Sequence, residues 1–181
     1  GLKEKNLKRL WSWIWAAVLA VLIAVIIRFY LFVPILVDGI SMMPTLHNDD
    51  RVIINRFGHV DRFDVIVFRE NDGKEYIKRV IGLPGDTVEY KADQLYINGE
   101  KYDEPYLDTY KEKLKDGYLT DDYSSKDQLD GGKIPTDTYF VLGDNRRASK
   151  DSRIIGPIPL NKVLGTTPIC YWPIENAKLI D

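Results

Sequence analysis

The chain has 181 residues, room for one domain of ordinary size beside an anchor, and a net charge of −2, which gives no basic excess to suggest nucleic acid. Its single cysteine, Cys170, excludes an internal disulfide and any cysteine-cluster metal site. With only His47 and His59 present, a three-histidine zinc site is excluded, and a Ser-His-Asp triad would have to use one of the two.

Leu10 to Ile27 is a stretch of 18 residues without a charge. As a helix it would rise roughly 27 Å, close to the hydrocarbon thickness of a bilayer. Trp11, Trp13 and Trp15 mark one end and Phe29 and Tyr30 the other, the pattern of interfacial aromatic belts. Lys3, Lys5, Lys8 and Arg9 precede the span, so the positive-inside rule predicts a cytoplasmic N-terminus over 1–9, a membrane anchor over 10–33 and an extracytoplasmic body over 34–181. A cleaved signal peptide has a shorter apolar core and a small-x-small site after it, whereas Arg28-Phe29-Tyr30-Leu31-Phe32 follows here. Gly1 in place of methionine leads us to expect a trimmed or altered start.

The body reads as mostly β. Pro34 ends the helix and Val33 to Val37 is extended. Arg51 to Asn55 is a short apolar strand, and Asp64 to Phe68 is continuous enough to be buried on both faces. Asn71-Asp72-Gly73 turns into a third strand, Lys74 to Ile81, followed by the tight connection Gly82 to Asp86 and a new start at Thr87. Asn98-Gly99 between two short alternating segments predicts a type I′ hairpin. The charged, irregular stretch 103–136 reads as a surface insertion. Strands resume at Tyr139 to Gly143 and near Lys162 to Thr167. Eleven tyrosines, thirteen glycines and nine prolines suit many short, punctuated strands.

Two side chains stand out as chemistry. Ser41 lies a few residues beyond the span, in Gly39-Ile40-Ser41-Met42-Met43-Pro44-Thr45-Leu46, where an anchor would hold it at a fixed height above lipid. Lys78 lies in Tyr76-Ile77-Lys78-Arg79-Val80, sharing a strand face with Tyr76 and Val80 while Arg79 points the other way. Burial between bulky neighbours would lower the lysine pKa and leave an amine able to accept a proton; the pattern alone equally fits an exposed strand lysine. The polar Asn48-Asp49-Asp50 turn should carry His47 towards solvent, His59 follows Phe57-Gly58 in a loop, and Cys170 reads as a small core residue. The acidic patches lack calcium-loop spacing, and no metal or organic cofactor is expected.

Three stretches together extend this reading. Ser41-Met42-Met43-Pro44-Thr45, Lys78 to Asp86 and Gly143-Asp144-Asn145-Arg146-Arg147-Ala148-Ser149-Lys150-Asp151-Ser152-Arg153 resemble, in order and spacing, the sequence boxes of type I signal peptidases, with Asp64 to Phe68 as a weaker fourth. The single span and compact body resemble the Gram-positive branch. The resemblance implies a coiled antiparallel β-sheet body, of the kind shared by signal peptidases and self-cleaving repressors, behind one N-terminal transmembrane helix.

It also implies a membrane-bound serine endopeptidase with Ser41 as nucleophile and Lys78 as general base, removing signal peptides from exported preproteins. The Ser41 N–H would be an oxyanion donor. The second donor of some members would fall at Gly39, which has no hydroxyl. Ser149 matches the serine that orients the lysine, and Met42 a residue beside the substrate cleft. Asp151 and Arg153 match a loop-holding pair supported by Asp144 and Arg146, and Asp50 matches the family's Gly-Asp pair with Asp49 in place of the glycine. The partners implied are signal peptides, the bilayer and the secretion translocon, at the extracytoplasmic face of a bacterial cell membrane. Two other readings share these features. A self-cleaving repressor would carry a DNA-binding domain where this chain has a span. A non-enzymatic membrane-tethered assembly factor, such as one that helps build pili, would be expected to lose the serine or the lysine.

Overall fold

A computed structural model describes residues 1–181, the side chain of Leu2 excepted. The chain divides into two compact units, Gly1–Val33 and Pro34–Asp181. The first is helix α1 (Leu2–Ile26), continued by a π-helical turn at Ile27–Leu31. Lys3–Leu31 is long and apolar enough to cross a membrane, and its apolar window is wholly unburied. The helix begins well before Leu10 because Lys3, Glu4, Lys5, Leu7, Lys8 and Arg9 are strong helix formers whatever their polarity. At the other end, strand β1 (Phe32–Leu36) takes the last two residues expected of the anchor, Phe32 and Val33. Pro34 lacks an amide donor, and it sits in a strand at the sheet edge, where that is tolerated.

The second unit continues with β2 (Arg51–Asn55), β3 (Val65–Arg69), β4 (Glu75–Gly82), β5 (Val88–Lys91), β6 (Gln94–Ile97) and β7 (Glu100–Tyr102). After the short helices α2 (Asp108–Glu112) and α3 (Ser125–Gln128), which flank β8 (Tyr123–Ser124), come β9 (Thr138–Leu142), helix α4 (Ser152–Ile155), β10 (Ile158–Pro159), β11 (Val163–Trp172) and β12 (Lys178–Leu179). The larger sheet runs β1-β2-β11-β3-β4-β9-β10, with β12 paired to β11; the smaller runs β7-β6-β5-β8. Every pair with a defined register is antiparallel. Asn98 and Gly99 both have positive φ, as the type I′ turn between β6 and β7 requires. The last long strand extends past the expected Thr167 to Trp172, carried by pairing to β2 on one side and β3 on the other.

The larger sheet is covered on both faces, so β3 reads as an unbroken apolar run. Its Val65 joins a cluster with Val37, Met42, Leu46, Val52 and Cys170, while Ile66 and Phe68 join one with Val80, Tyr139, Val141 and Ile158. A third cluster, including Ile81, Tyr90, Ile97, Ile134 and Phe140, draws on both sheets.

The stretch 103–136 is not a surface insertion. Leu107, Leu119, Thr120, Ser125 and Ile134 are buried, and β8 completes the smaller sheet against β5. Its sparse, irregular apolar residues hide this because each fills one gap rather than forming a periodic face.

Candidate active site

Ser41 sits in the loop between β1 and β2. The neck of that loop is closed by Val37 N–H to the Asp50 carbonyl at 2.7 Å and Asp49 N–H to the Val37 carbonyl at 2.9 Å. Inside it the chain folds back through Met43 N–H to the Ile40 carbonyl at 3.1 Å and Leu46 N–H to the Met42 carbonyl at 3.0 Å. Met42 and Leu46, 2% and 0% exposed, plug the apolar cluster beneath and fix the turn to the sheet. Met42 therefore both lines the cleft and packs in the core.

Lys78 stands on β4, its backbone registered against Ile66 of β3. Its side chain is 3% exposed, which excludes the surface-lysine reading. Its Nζ donates to Ser41 Oγ at 2.8 Å and to the Ile77 carbonyl at 3.1 Å, and lies 5.7 Å from the Tyr76 ring centroid. Among the described residues no carboxylate forms an ion pair with it. Burial therefore dominates and brings the amine from its ordinary value of 10.5 down to about 8, the more distant charges of Asp151 and Asp144 offsetting only part. An amine with that pKa, in contact with a hydroxyl, can take up the hydroxyl proton near neutral pH.

β9 pairs with β4 only from Arg79 onward, so the Glu75–Lys78 edge of β4 is left without a partner from β9. Opposite it runs Ile35–Asp38, and the two border a cleft of about 620 Å³ that also contains Ser41, Met42 and Lys78.

The Gly143–Arg153 segment closes the back of the site. A Cβ at Gly143 would lie 2.5 Å from the Ser41 carbonyl oxygen and 2.2 Å from Ser149 Oγ, so only glycine allows this approach. Asp151 accepts from the Gly143 N–H at 3.1 Å and pairs with Arg153 at 2.8 Å. Burial pushes the Asp151 carboxyl up, but the Arg153 hydrogen bonds and charge and the Gly143 N–H outweigh it and hold the pKa below the usual carboxylate range. Arg153 also bonds the Arg146 carbonyl at 2.9 Å, which ties the loop together.

The side chains of Asp144 and Arg146 serve other partners than this pair. Asp144 takes two bonds from Arg79, at 2.9 and 2.7 Å, and one from Thr45 Oγ1. Arg146 reaches Glu104 Oε2 at 2.5 Å and the Tyr90 hydroxyl at 2.9 Å. Arg79 further stacks at 3.8 Å from the centroid of Tyr106. Arg79, Glu104 and Tyr106 were not anticipated from the sequence. A charge inside the apolar run Ile77 to Ile81 is a signal for Arg79, since a strand buried on both faces leaves it no solvent; Glu104 and Tyr106 carry none.

One expected contact is not formed. Among the described residues the buried Ser149 Oγ has no hydrogen-bond partner, so it does not bond Lys78, although it lies beside Gly143. The Gly39 N–H is engaged by Asn48 Oδ1 at 2.7 Å, so this backbone donor is not available to a substrate oxygen. The Ser41 N–H, by contrast, donates to no other group among the described residues. His47 is partly exposed near Asp50, and His59 is exposed beside Asp61; neither approaches Ser41 by hydrogen bond.

A curled antiparallel sheet holding a buried amine against a loop hydroxyl defines a class, and the comparisons name it. The family model described as signal peptidase, peptidase S26, matches residues 10–172. Signal peptidase I S of Bacillus subtilis is 45% identical, over 98% of this chain and 98% of its own length. Signal peptidase I of Bacillus caldolyticus is 44% identical over 96% and 95%, and signal peptidase IB of Staphylococcus aureus 41% identical over 94% of each. The crystal structure of a signal peptidase I from Enterococcus faecalis superposes with a TM-score of 0.56 at 41% identity, covering 60% of this chain and 97% of that one. The chain belongs to the S26 signal peptidase family, in its type I branch.

Proposed function

We propose that the chain cleaves signal peptides from exported preproteins with a Ser41–Lys78 dyad, outside a membrane in which residues following Arg9 anchor it. The observation that carries this is the 2.8 Å contact between Lys78 Nζ and Ser41 Oγ, made by a lysine that pairs with no carboxylate among the described residues. Neutral Lys78 accepts the Ser41 proton as Oγ attacks the carbonyl of the last signal residue. The Ser41 N–H meets the developing oxyanion, where one such donor contributes a few kcal/mol. The intermediate collapses to an ester on Ser41 as Lys78 returns the proton to the leaving amine. Lys78 then activates the water that releases the signal peptide.

The substrate fits as an extended segment between Ile35–Asp38 and the open edge of β4, adding a strand to the sheet. Small residues at the −1 and −3 positions suit the apolar floor formed by Met42, Ile35 and Ile77. Asp144, Asp151 and Arg153 hold the loop behind the dyad, and Arg146 locks that loop to the smaller sheet. The cationic residues ahead of the span favour a cytoplasmic N-terminus and an extracytoplasmic body, where the translocon delivers its cargo.

The test uses the full chain in detergent or liposomes with a preprotein ending its signal in Ala-x-Ala. Cleavage at that junction, lost by at least about 10⁴-fold in both Ser41→Ala and Lys78→Met, is expected. Cleavage that survives Ser41→Ala, in a folded variant, would overturn the assignment.

A further inference from the structure

Asn145 holds both peptide groups that flank Ser41. Its backbone N–H donates to the Ser41 carbonyl at 2.9 Å, and its side-chain Nδ2 donates to the Ile40 carbonyl at 3.1 Å. The second contact is the consequential one. The Ile40 carbonyl and the Ser41 N–H are opposite ends of one trans, planar peptide unit, since the cis bonds are Met43-Pro44 and Trp172-Pro173. Fixing the oxygen end therefore fixes the direction in which the Ser41 N–H points. A donor on the carbonyl also polarises the whole unit and strengthens its N–H as a donor, by about 10–30%.

Asn145 is itself well placed to act as a fixed reference. It is 6% exposed, and it follows Asp144, which is clamped by two hydrogen bonds from Arg79. Arg79 is the neighbour of Lys78 on β4. One short path thus runs from the strand that carries the amine, through Asp144, to the peptide that would meet the oxyanion. Among the described residues the one other group holding the Ile40 carbonyl is the Met43 N–H at 3.1 Å, which belongs to the same turn and would move with it.

We infer that Asn145 is a positioning residue of the oxyanion site, aiming the Ser41 N–H through the Ile40–Ser41 peptide. The inference rests on the proposed role of Ser41. It separates from a general structural role because its effect falls on the transition state: the oxyanion exists there and not in the bound substrate. Asn145→Ala removes the side-chain donor and leaves the Met43 contact. Asn145→Asp keeps the shape but turns an acceptor towards the Ile40 carbonyl.

The experiment measures kcat, KM and the pH dependence of kcat/KM for the parent, Asn145→Ala and Asn145→Asp, with Ser41→Ala and Lys78→Met alongside. Thermal melting of each variant defines the folded state at the assay temperature. The expected order is a fall in kcat of roughly 10-fold or more for alanine and 10²–10³-fold for aspartate, the range for loss of one oxyanion donor. KM should stay within about 3-fold, and in the alanine variant, which changes no charge, the pH midpoint of the ascending limb should not move. Should the aspartate variant fail to fold, the alanine variant decides through the same split. Unchanged kcat in folded Asn145 variants, or an alanine variant whose loss is shared between kcat and KM with a shifted pH midpoint, would overturn the inference. Activity surviving Ser41→Ala would instead remove the reading on which it rests.

Discussion

Lys78 and Arg79 are consecutive on one strand, both buried, and their surroundings treat them in opposite ways. Arg79 meets Asp144 through two hydrogen bonds, with both side chains 0% exposed. Lys78 meets a serine hydroxyl and a backbone carbonyl and, among the described residues, no carboxylate. A guanidinium cannot shed its proton, so its burial requires a counter-charge; an ammonium can, and its burial without one lowers its pKa. The strand thus places a structural cation on one face and a titratable amine on the other. The pairing is what distinguishes them.

Breaking the pair on the Arg79 face should have the largest effect on stability. Arg79→Met leaves the Asp144 carboxylate buried without its partner, and a loss of about 3–5 kcal/mol in urea unfolding is expected. Replacing both residues with apolar groups of similar size should recover much of that loss, because no uncompensated charge remains. Arg79→Lys should not, since an ammonium cannot reproduce the two-pronged contact or the stacking on Tyr106.

On the other face the sign reverses. An unfolded chain keeps the Lys78 proton up to its ordinary pKa of 10.5, whereas the folded chain releases it near 8. Between those values the unfolded state binds more protons, so stability rises with pH through this window. Below about pH 8 the fold bears the full penalty of a buried ammonium. Lys78→Met should therefore stabilise the protein by about 3 kcal/mol at pH 6, with the gain shrinking towards pH 10.5. Urea melts at pH 6 and pH 10 measure it, and a gain that does not decline with pH would contradict the assignment of the penalty to charge.

The smallest effect belongs to a third cation nearby. Arg69 on β3 lies opposite Glu75 on β4, with Nη2 and Oε1 2.8 Å apart, but its side chain is 57% exposed. Water and salt screen this pair, and Arg69→Ala should change stability by less than about 1 kcal/mol, less again in high salt.

How much of this was legible from the residues follows the same division. The strands are local patterns, and Arg51 to Asn55, Asp64 to Phe68 and the Asn98-Gly99 hairpin could be read from alternation and turn chemistry. Ser41 and Lys78 were legible because short boxes around each resemble a family, and the fold brings the two within hydrogen-bonding distance. The partners that join distant segments were not. Glu104 precedes a proline in a stretch with no period, yet it supplies the carboxylate for Arg146, 42 residues away. The region 103–136 looked superficial for the same reason. Ser149 was expected against Lys78, but hydroxyl orientation depends on sub-ångström packing that no spacing encodes. Asn145 stood out only as one residue of a resembling stretch, and its grip on Ile40 and Ser41 depends on the close approach that Gly143 allows.

The most direct test of the central claim is the pH dependence of kcat/KM for cleavage of an Ala-x-Ala preprotein by the full chain, under conditions where chemistry limits the rate. With Lys78 as the base, the neutral fraction grows about tenfold per pH unit below its pKa, so the rate should climb with unit slope and level off above about pH 8. A flat profile from about pH 6 to about pH 10 would mean that no amine titrates in the free enzyme, and would contradict a lysine base.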